Sequence, residues 1–299
     1  MSEIKGIISD IIPFSLYDGP GIRTTVFLKG CPLRCQWCHN PETQSRLPMN
    51  MYSMEKCVHC GRCENICPEG LRAADGSWTS DNSKCSACGA CVSICPVKAN
   101  KINGYYATPR EVLEITEKDR LFYEKSGGGV TISGGEALMQ PEFLYELCKL
   151  HAEAKINLCL ETCGFGNWSA LESILPYISQ FLFDWKMTDP KAHKRLTGTD
   201  NGLILQNLER LNAAGAEIIL RCPIIPGCND REEHFRGIGQ LTERFYNIKQ
   251  VEVLPYHSLG NYKRKKMGLR QDGFVTPEEE HSDHWKAAIE RYSCVPVKL

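Results

Sequence analysis

The sequence predicts an α/β fold built on a parallel sheet, interrupted near its start by a small module organised by metal. Two observations carry this. Short β-branched runs alternate with stretches of helical periodicity over most of the chain, and 11 of its 17 cysteines crowd between Cys31 and Cys95. Such alternation is the pattern of βα units and a parallel sheet. Crowded cysteines in a 299-residue chain with no secretory leader point to metal, because cytosolic thiols are kept reduced and disulfide scaffolds are much smaller.

The candidate strands are Thr24–Leu28, Gly129–Ser133, Ile156–Leu160, Phe181–Trp185, Glu217–Cys222 and Gln250–Leu254. Between them Pro141–Glu153, Trp168–Ile174, Leu203–Ala213 and Arg231–Tyr246 repeat apolar residues every three or four positions and end at Gly or Pro stops. Six strands are fewer than the eight of a closed barrel, so the pattern allows a three-quarter barrel or an open sheet. Residues from about Tyr52 to Tyr105 break the repeat. They are rich in Cys, Gly, Pro and Asn with few long apolar runs, as expected of an insert held by metal rather than by a core.

Composition narrows the partners. Thirty-five basic and 36 acidic residues leave a formal charge of -1, too little for a field that holds nucleic acid or an anionic membrane. No apolar run is long enough to span a bilayer, and the first ten residues lack the basic and apolar regions of a secretory signal. A soluble cytoplasmic protein is expected.

The cysteines fall into three tight groups and six scattered residues. Cys31, Cys35 and Cys38 form a C-x3-C-x2-C loop directly after the first strand. Three thiolates on one short loop suit three corners of a four-iron cluster and leave the fourth iron open. A zinc site would require a fourth ligand at finger-like spacing, and His39, next to Cys38, is poorly placed to chelate the same ion. Cys57, Cys60, Cys63, Cys67 and Cys85, Cys88, Cys91, Cys95 repeat C-x2-C-x2-C-x3-C-P, the bacterial ferredoxin run, in which the fourth cysteine serves the other cluster. By that rule Cys57, Cys60, Cys63 and Cys95 hold one cluster, and Cys85, Cys88, Cys91 and Cys67 hold another. Both are fully ligated, which leaves electron transfer or stiffening of the insert as their uses. Cys148, Cys159, Cys163, Cys222, Cys228 and Cys294 read mostly as small buried hydrophobes.

The three-cysteine loop, with Trp37 before its last cysteine, resembles the signature of the radical S-adenosylmethionine (SAM) enzymes. In that family the open iron is chelated by the amino and carboxylate groups of SAM, and an electron from the cluster cleaves the cofactor to methionine and a 5'-deoxyadenosyl radical. The segment Asp18-Gly19-Pro20-Gly21-Ile22-Arg23 and the run Cys38-His39-Asn40-Pro41-Glu42 narrow the resemblance to the glycyl-radical-enzyme activating enzymes, over about Ile8 to His257. The implied fold is α/β, a partial (β/α)6 TIM-like barrel with an inserted ferredoxin-like two-cluster module. Its expected domains are 1–50 with 106–299 for the barrel and 51–105 for the module.

Strand ends supply the remaining site residues, since ligands gather at the C-terminal ends of parallel strands. Gly134, Gly135 and Glu136 resemble the G-G-E motif that binds the cofactor's amino group; glycine admits close backbone approach and a carboxylate suits an ammonium. Asp184 and Lys186 match a D-x-K motif that contacts SAM, although such a pair is equally at home as a structural salt bridge. The resemblance also implies a monovalent cation near Glu161, Thr162 and Asp184. Arg221 and His257 correspond to contacts with the carboxylate and the adenosyl part. His193 with Thr197 and Gly198 matches a family segment without an assigned role.

The implied reaction takes a hydrogen atom from a glycine Cα of a partner glycyl radical enzyme, which presents a loop to the barrel mouth across a shape-driven interface. Flavodoxin or ferredoxin is the expected reductant and the chain a monomer. Two other readings compete. A radical SAM enzyme acting on a small molecule or peptide leaves the D-G-P-G-I-R segment unexplained. A plain electron carrier leaves the C-x3-C-x2-C loop and the whole βα repeat unused.

Overall fold

A computed structural model describes residues 3–80 and 82–299; Met1 and Ser2, at the head of the expected 1–50 segment, and Asp81 lie outside the described residues. In chain order its strands are β1 (Gly6–Ser15), β2 (Arg23–Leu28), β3 (Met49–Tyr52), β4 (Asn100–Asn103), β5 (Tyr105–Ala107), β6 (Gly129–Gly134), β7 (Leu158–Thr162), β8 (Gln180–Asp184), β9 (Ile218–Ile224), β10 (Ile248–Pro255) and β11 (Val297–Lys298). Nine of them form one sheet in the order β11-β10-β9-β8-β7-β6-β2-β1-β5. From β2 to β10 every neighbouring pair is parallel and sequence order equals spatial order. The six strands expected from the sequence are these six. β1 and β5 extend one edge antiparallel, and β11 extends the other.

The strands alternate sides, so one face buries Val130, Ile132, Leu158, Leu160, Phe181, Phe183, Leu220, Cys222, Val251 and Val253. The helices Pro141–Glu153, Trp168–Ile174, Gly202–Ala213 and Glu232–Arg244 place Leu144, Leu147, Leu171, Leu208, Leu211, Ile238 and Leu241 into the same hydrophobic cluster. At ~25 cal/mol per Å² of apolar surface removed from water, this face dominates the stabilisation. The other face carries Thr25, Thr131, Ser133, Glu161, Asp184, Arg221 and Glu252. Polar groups there must bond one another, because water is largely excluded.

Two short helices outside the four expected from periodicity are each started by a cap. Pro109–Thr116 begins in a capping box: the Glu111 backbone N–H donates to Thr108 Oγ1 at 3.2 Å, and Thr108 N–H donates to Glu111 Oε2 at 2.7 Å. Pro190–Thr197 is capped by Asp189, whose Oδ1 accepts from Ala192 N–H at 2.6 Å.

The cysteine-rich stretch leaves the sheet through β3 and returns through β4, which pair antiparallel from Met49–Asn103 to Tyr52–Asn100. Between them only short turns and helices form, and none of the described residues 53–99 joins either hydrophobic cluster of the protein. The Trp78 indole donates to Lys266 O at 3.0 Å, and Asn82 N–H to Met267 O at 3.2 Å, which tie this stretch to the helix Leu259–Lys266.

Asp18 to Arg23 cross the polar face. Thr25 Oγ1 donates to Asp18 Oδ2 at 2.7 Å, and Thr131 Oγ1 to Asp18 O at 2.5 Å. Arg23, fully buried, donates to Pro20 O, Val130 O, Thr131 Oγ1 and both oxygens of Asn157. An Arg23→Met change strands these acceptors and is expected to lower stability by about 3 kcal/mol in urea unfolding; an unmoved midpoint overturns the assignment of Arg23 as the tie between these strands.

Candidate active site at the strand ends

The C-x3-C-x2-C loop leaves β2 and lies over the ends of the parallel strands. Its backbone is held from two sides: Gly30 N–H donates to Thr43 O and Cys31 N–H to Gln44 O, while Arg34 N–H donates to Thr197 O at 2.6 Å and Gln36 N–H to Leu196 O at 3.0 Å. The second pair gives the His193–Thr197 segment its task, support of the cysteine loop. Cys31, Cys35 and Cys38 join Leu33, Trp37, Cys163, Met187, Ile225 and Tyr256 in a second, smaller hydrophobic cluster. Residues following β2, β7, β8, β9 and β10 therefore meet there. Burial pushes the thiols of Cys31 and Cys35 up to about 12, and that of Cys38 upward as well. Thiolates in this setting need the positive charge of bound metal.

Gly134 and Gly135 let β6 end against that loop. A Cβ on Gly134 would stand 2.2 Å from Leu28 O, and one on Gly135 2.4 Å from Gly30 O, so neither position accepts a side chain. Gly134 also holds a left-handed φ of 114°. Glu136 is buried and accepts from Leu138 N–H at 3.1 Å, Thr162 Oγ1 at 2.8 Å, and Cys163 N–H and Sγ, both at 2.9 Å. Its carboxylate thus locks the ends of β6 and β7 together.

Burial works against the charge on Lys186, but Asp184, 2.6 Å away, and the sulfurs of Cys35 and Cys163 together outweigh it and hold the ammonium well above its ordinary pKa. Lys186 is also the cation whose field reaches Cys31, Cys35 and Cys38. Arg221 donates to Glu161 Oε1 at 2.9 Å and to Tyr17 O at 3.1 Å, and its Nε lies 3.3 Å from Glu252 Oε2. Ser133 Oγ donates to the other Glu161 oxygen at 2.5 Å. Glu161, Thr162 and Asp184, the expected cation shell, thus already engage Ser133 and Arg221, Glu136, and Lys186. His257 is exposed and sits edge-on to His39, with ring centroids 4.1 Å apart. Trp37 packs edge-on to Phe274, centroids 6.4 Å apart.

Three placements differ from the sequence reading. Arg221 lies within β9 rather than at its end, because the strand continues through Cys222, Pro223 and Ile224. Glu161 and Thr162 lie inside β7, which begins and ends two residues later than expected. Cys294 is exposed and Cys228 half-buried, whereas Cys148, Cys159, Cys163 and Cys222 are buried. Two residues named in the sequence make contacts it did not announce. Cys163 bonds Glu136, and its signal was its place in the segment after β7. Glu42 is bridged by Lys263 Nζ, which donates to Glu42 Oε1 at 2.7 Å and Asn40 Oδ1 at 2.5 Å, while buried Lys29 donates to Glu42 O at 2.5 Å. No periodicity announces the helix that brings Lys263 here.

In the module, Cys67, Cys85, Cys88 and Cys91 line one cavity together with Leu71 and Ile102. That set contains the crossing cysteine of the first run. The two runs also repeat their backbone bonds to sulfur: His59 N–H to Cys57 and Ala87 N–H to Cys85, then Leu71 N–H to Cys67 and Ala99 N–H to Cys95. His59 and Ala87 adopt φ of 52° and 53°, a left-handed conformation uncommon outside glycine that aims these donors at sulfur. Donors aimed at thiolates fit an anionic cluster.

Comparison with known proteins agrees with this chemistry. Residues 82–236 match the Radical SAM superfamily, residues 56–99 a 4Fe-4S dicluster domain and residues 17–67 a 4Fe-4S single cluster domain. The choline trimethylamine-lyase activating enzyme of Oleidesulfovibrio alaskensis is 41% identical over 311 residues, covering 100% of this chain and 99% of that one. The trans-4-hydroxy-L-proline dehydratase activating enzyme of Clostridioides difficile is 40% identical, covering 92% and 93%. The benzylsuccinate synthase activating enzyme of Thauera aromatica is 41% identical, covering 88% and 82%. Among solved structures, a radical SAM methyltransferase from Sphaerobacter thermophilus shares the fold, with a TM-score of 0.54 at 12% identity over 92% of this chain and 65% of that one. With near-complete coverage at about two-fifths identity, and cysteines and strand-end charges in one place, the chain belongs to the radical SAM superfamily and, within it, to the glycyl-radical-enzyme activating enzymes.

Proposed function

We propose that this chain installs a glycyl radical on a partner enzyme by reductive cleavage of SAM. The carrying observation is the burial of Cys31, Cys35 and Cys38 beside Lys186 at the ends of five parallel strands. A four-iron cluster held there by the three thiolates would supply the reducing electron for SAM cleavage, and bound SAM the radical chemistry for hydrogen-atom removal from the glycine. The three thiolates hold the cluster. Trp37 walls the site, and the backbone at Gly134 and Gly135 offers close approach for the cofactor's amino group, with Glu136 bracing that turn. Asp184 and Lys186 position the cofactor as a neutral pair. Arg221, held on Glu161 and Glu252, provides a fork for its carboxylate, and His257 stands where the adenosyl part would lie.

The same reading assigns two further four-iron clusters to the module, ligated by Cys57, Cys60, Cys63 and Cys95 and by Cys67, Cys85, Cys88 and Cys91. The module at residues 51–105 then relays electrons from a flavodoxin or ferredoxin to the active cluster. Sequential parallel strand order, with helices sharing one face, supports a partial (β/α)6 barrel over 1–50 and 106–299. A monovalent cation at Glu161, Thr162 and Asp184 would share those carboxylates with Arg221 and Lys186. No helix among the described residues is long and apolar enough to cross a membrane; a cytoplasmic monomer is the proposed working form.

Anoxic incubation with dithionite and SAM tests the reading, with 5'-deoxyadenosine as the product. Cys35→Ala is expected to abolish 5'-deoxyadenosine formation, and normal cleavage by that variant overturns the site. Lys186→Met leaves Asp184 as an unpaired, half-buried carboxylate and is expected to weaken SAM binding about tenfold or more, read as a raised SAM KM. An unchanged KM removes Lys186 from the cofactor site.

A further inference from the structure

Arg72 lies in the cysteine-rich module, where it is 3% exposed. All its hydrogen-bond acceptors are neutral: Gly76 O at 3.2 Å, Asn50 Oδ1, and Asn100 Oδ1 at 2.6 Å. The guanidinium carbon stands 3.6 Å from the Trp78 ring centroid and 4.7 Å from that of Tyr52. Among the described residues no carboxylate lies within ion-pair distance of it. A buried cation without an anion is costly, so a counter-charge has to come from elsewhere.

The ionisable groups that face it are the sulfurs of Cys91, Cys63 and Cys85 and the phenol of Tyr52, whose ring it stacks on. Its two asparagine partners lead to sulfur as well. Asn50 accepts from Arg72 through Oδ1 and donates through Nδ2 to Cys91 Sγ at 3.2 Å. Asn100 likewise accepts from Arg72 and turns its side chain to the Cys95 sulfur. Cys91 lines the cavity of Cys67, Cys85 and Cys88, and the ferredoxin pairing proposed above assigns Cys95 to Cys57, Cys60 and Cys63. One fork thus reaches a ligand of each cluster through one asparagine apiece.

We propose that Arg72 is the shared counter-ion of the two accessory clusters and raises both of their reduction potentials, an inference that rests on the two-cluster reading above. Each reduction adds one negative charge to a cluster, and a fixed cation in a poorly solvated setting stabilises the reduced form more than the oxidised one. Nη2 of Arg72 donates to both asparagines while Nη1 donates to Gly76 O, so the planar group is fixed between the two cysteine runs, an orientation a single flexible ammonium would hold less firmly.

The test uses the full chain with Cys31, Cys35 and Cys38 all changed to alanine, so that only accessory clusters remain. Iron analysis of this parent is expected to give about eight irons per chain, two four-iron clusters, and reductive titration followed by electron paramagnetic resonance gives their potentials. Adding Arg72→Gln is expected to move both potentials to more negative values, and Arg72→Lys to move them less. Should Arg72→Gln lose iron, Arg72→Lys decides: retained iron with a smaller shift supports the counter-ion role, and loss of iron in both overturns it. Potentials that stay put in an iron-replete Arg72→Gln protein, or shift equally in both variants, overturn this inference alone. A parent without iron overturns the two-cluster reading and this inference with it.

Discussion

Everything in the site follows from the burial of three thiols against the ends of parallel strands. Sulfur in an apolar pocket resists ionisation, and burial lifts Cys31 and Cys35 to about 12. Such a pocket is inert until metal supplies positive charge, and it then keeps water away from a reactive cofactor. The strand ends can close on the loop only because β6 finishes in two glycines with no room for a side chain. The His193–Thr197 segment and the Asn40–Glu42 turn complete the grip from the outer sides.

The polar face of the sheet obeys a related constraint. Charged groups facing one another with little water must pair, and they do so across strands: Glu161 on β7, Arg221 on β9 and Glu252 on β10, with Asp184 and Lys186 beside them. Burial pushes Glu161 and Glu252 upward in pKa, and Arg221 opposes that shift in part, leaving both raised. The pairs stabilise little by themselves, since desolvation consumes much of the attraction. Their effect is to fix orientation, so that donors and acceptors are in place before a ligand arrives.

The module is organised differently. Its short helices share no core with the parallel sheet, and its recurrent feature is a backbone N–H aimed at sulfur. Order there is built around the cysteines, with Arg72, Asn50 and Asn100 as a polar centre where another domain would place leucine. The β3–β4 ladder and the Trp78 bond to Lys266 join this sulfur-centred unit to the hydrophobic one.

Much of this was legible before any coordinates. The six parallel strands and the helices Pro141–Glu153 and Trp168–Ile174 follow from periodicity, because each is buried on one side and must repeat its apolar residues at the period of its geometry. The 4Fe-4S character of the cysteine runs was legible because cluster binding demands thiols at short, fixed spacing on one loop. What the chain's order could not reveal was contact between distant residues. That Lys263 clamps Glu42, that Cys163 donates to Glu136, and that Asp18 to Arg23 cross the polar face are decided by packing, where partners more than a hundred residues apart in some cases meet. The end of β9 was misplaced for the same reason: Pro223 removes a donor, yet β10 still pairs past it. Local chemistry is written in spacing, whereas the pairing of buried charge exists only once the sheet has brought the strands together.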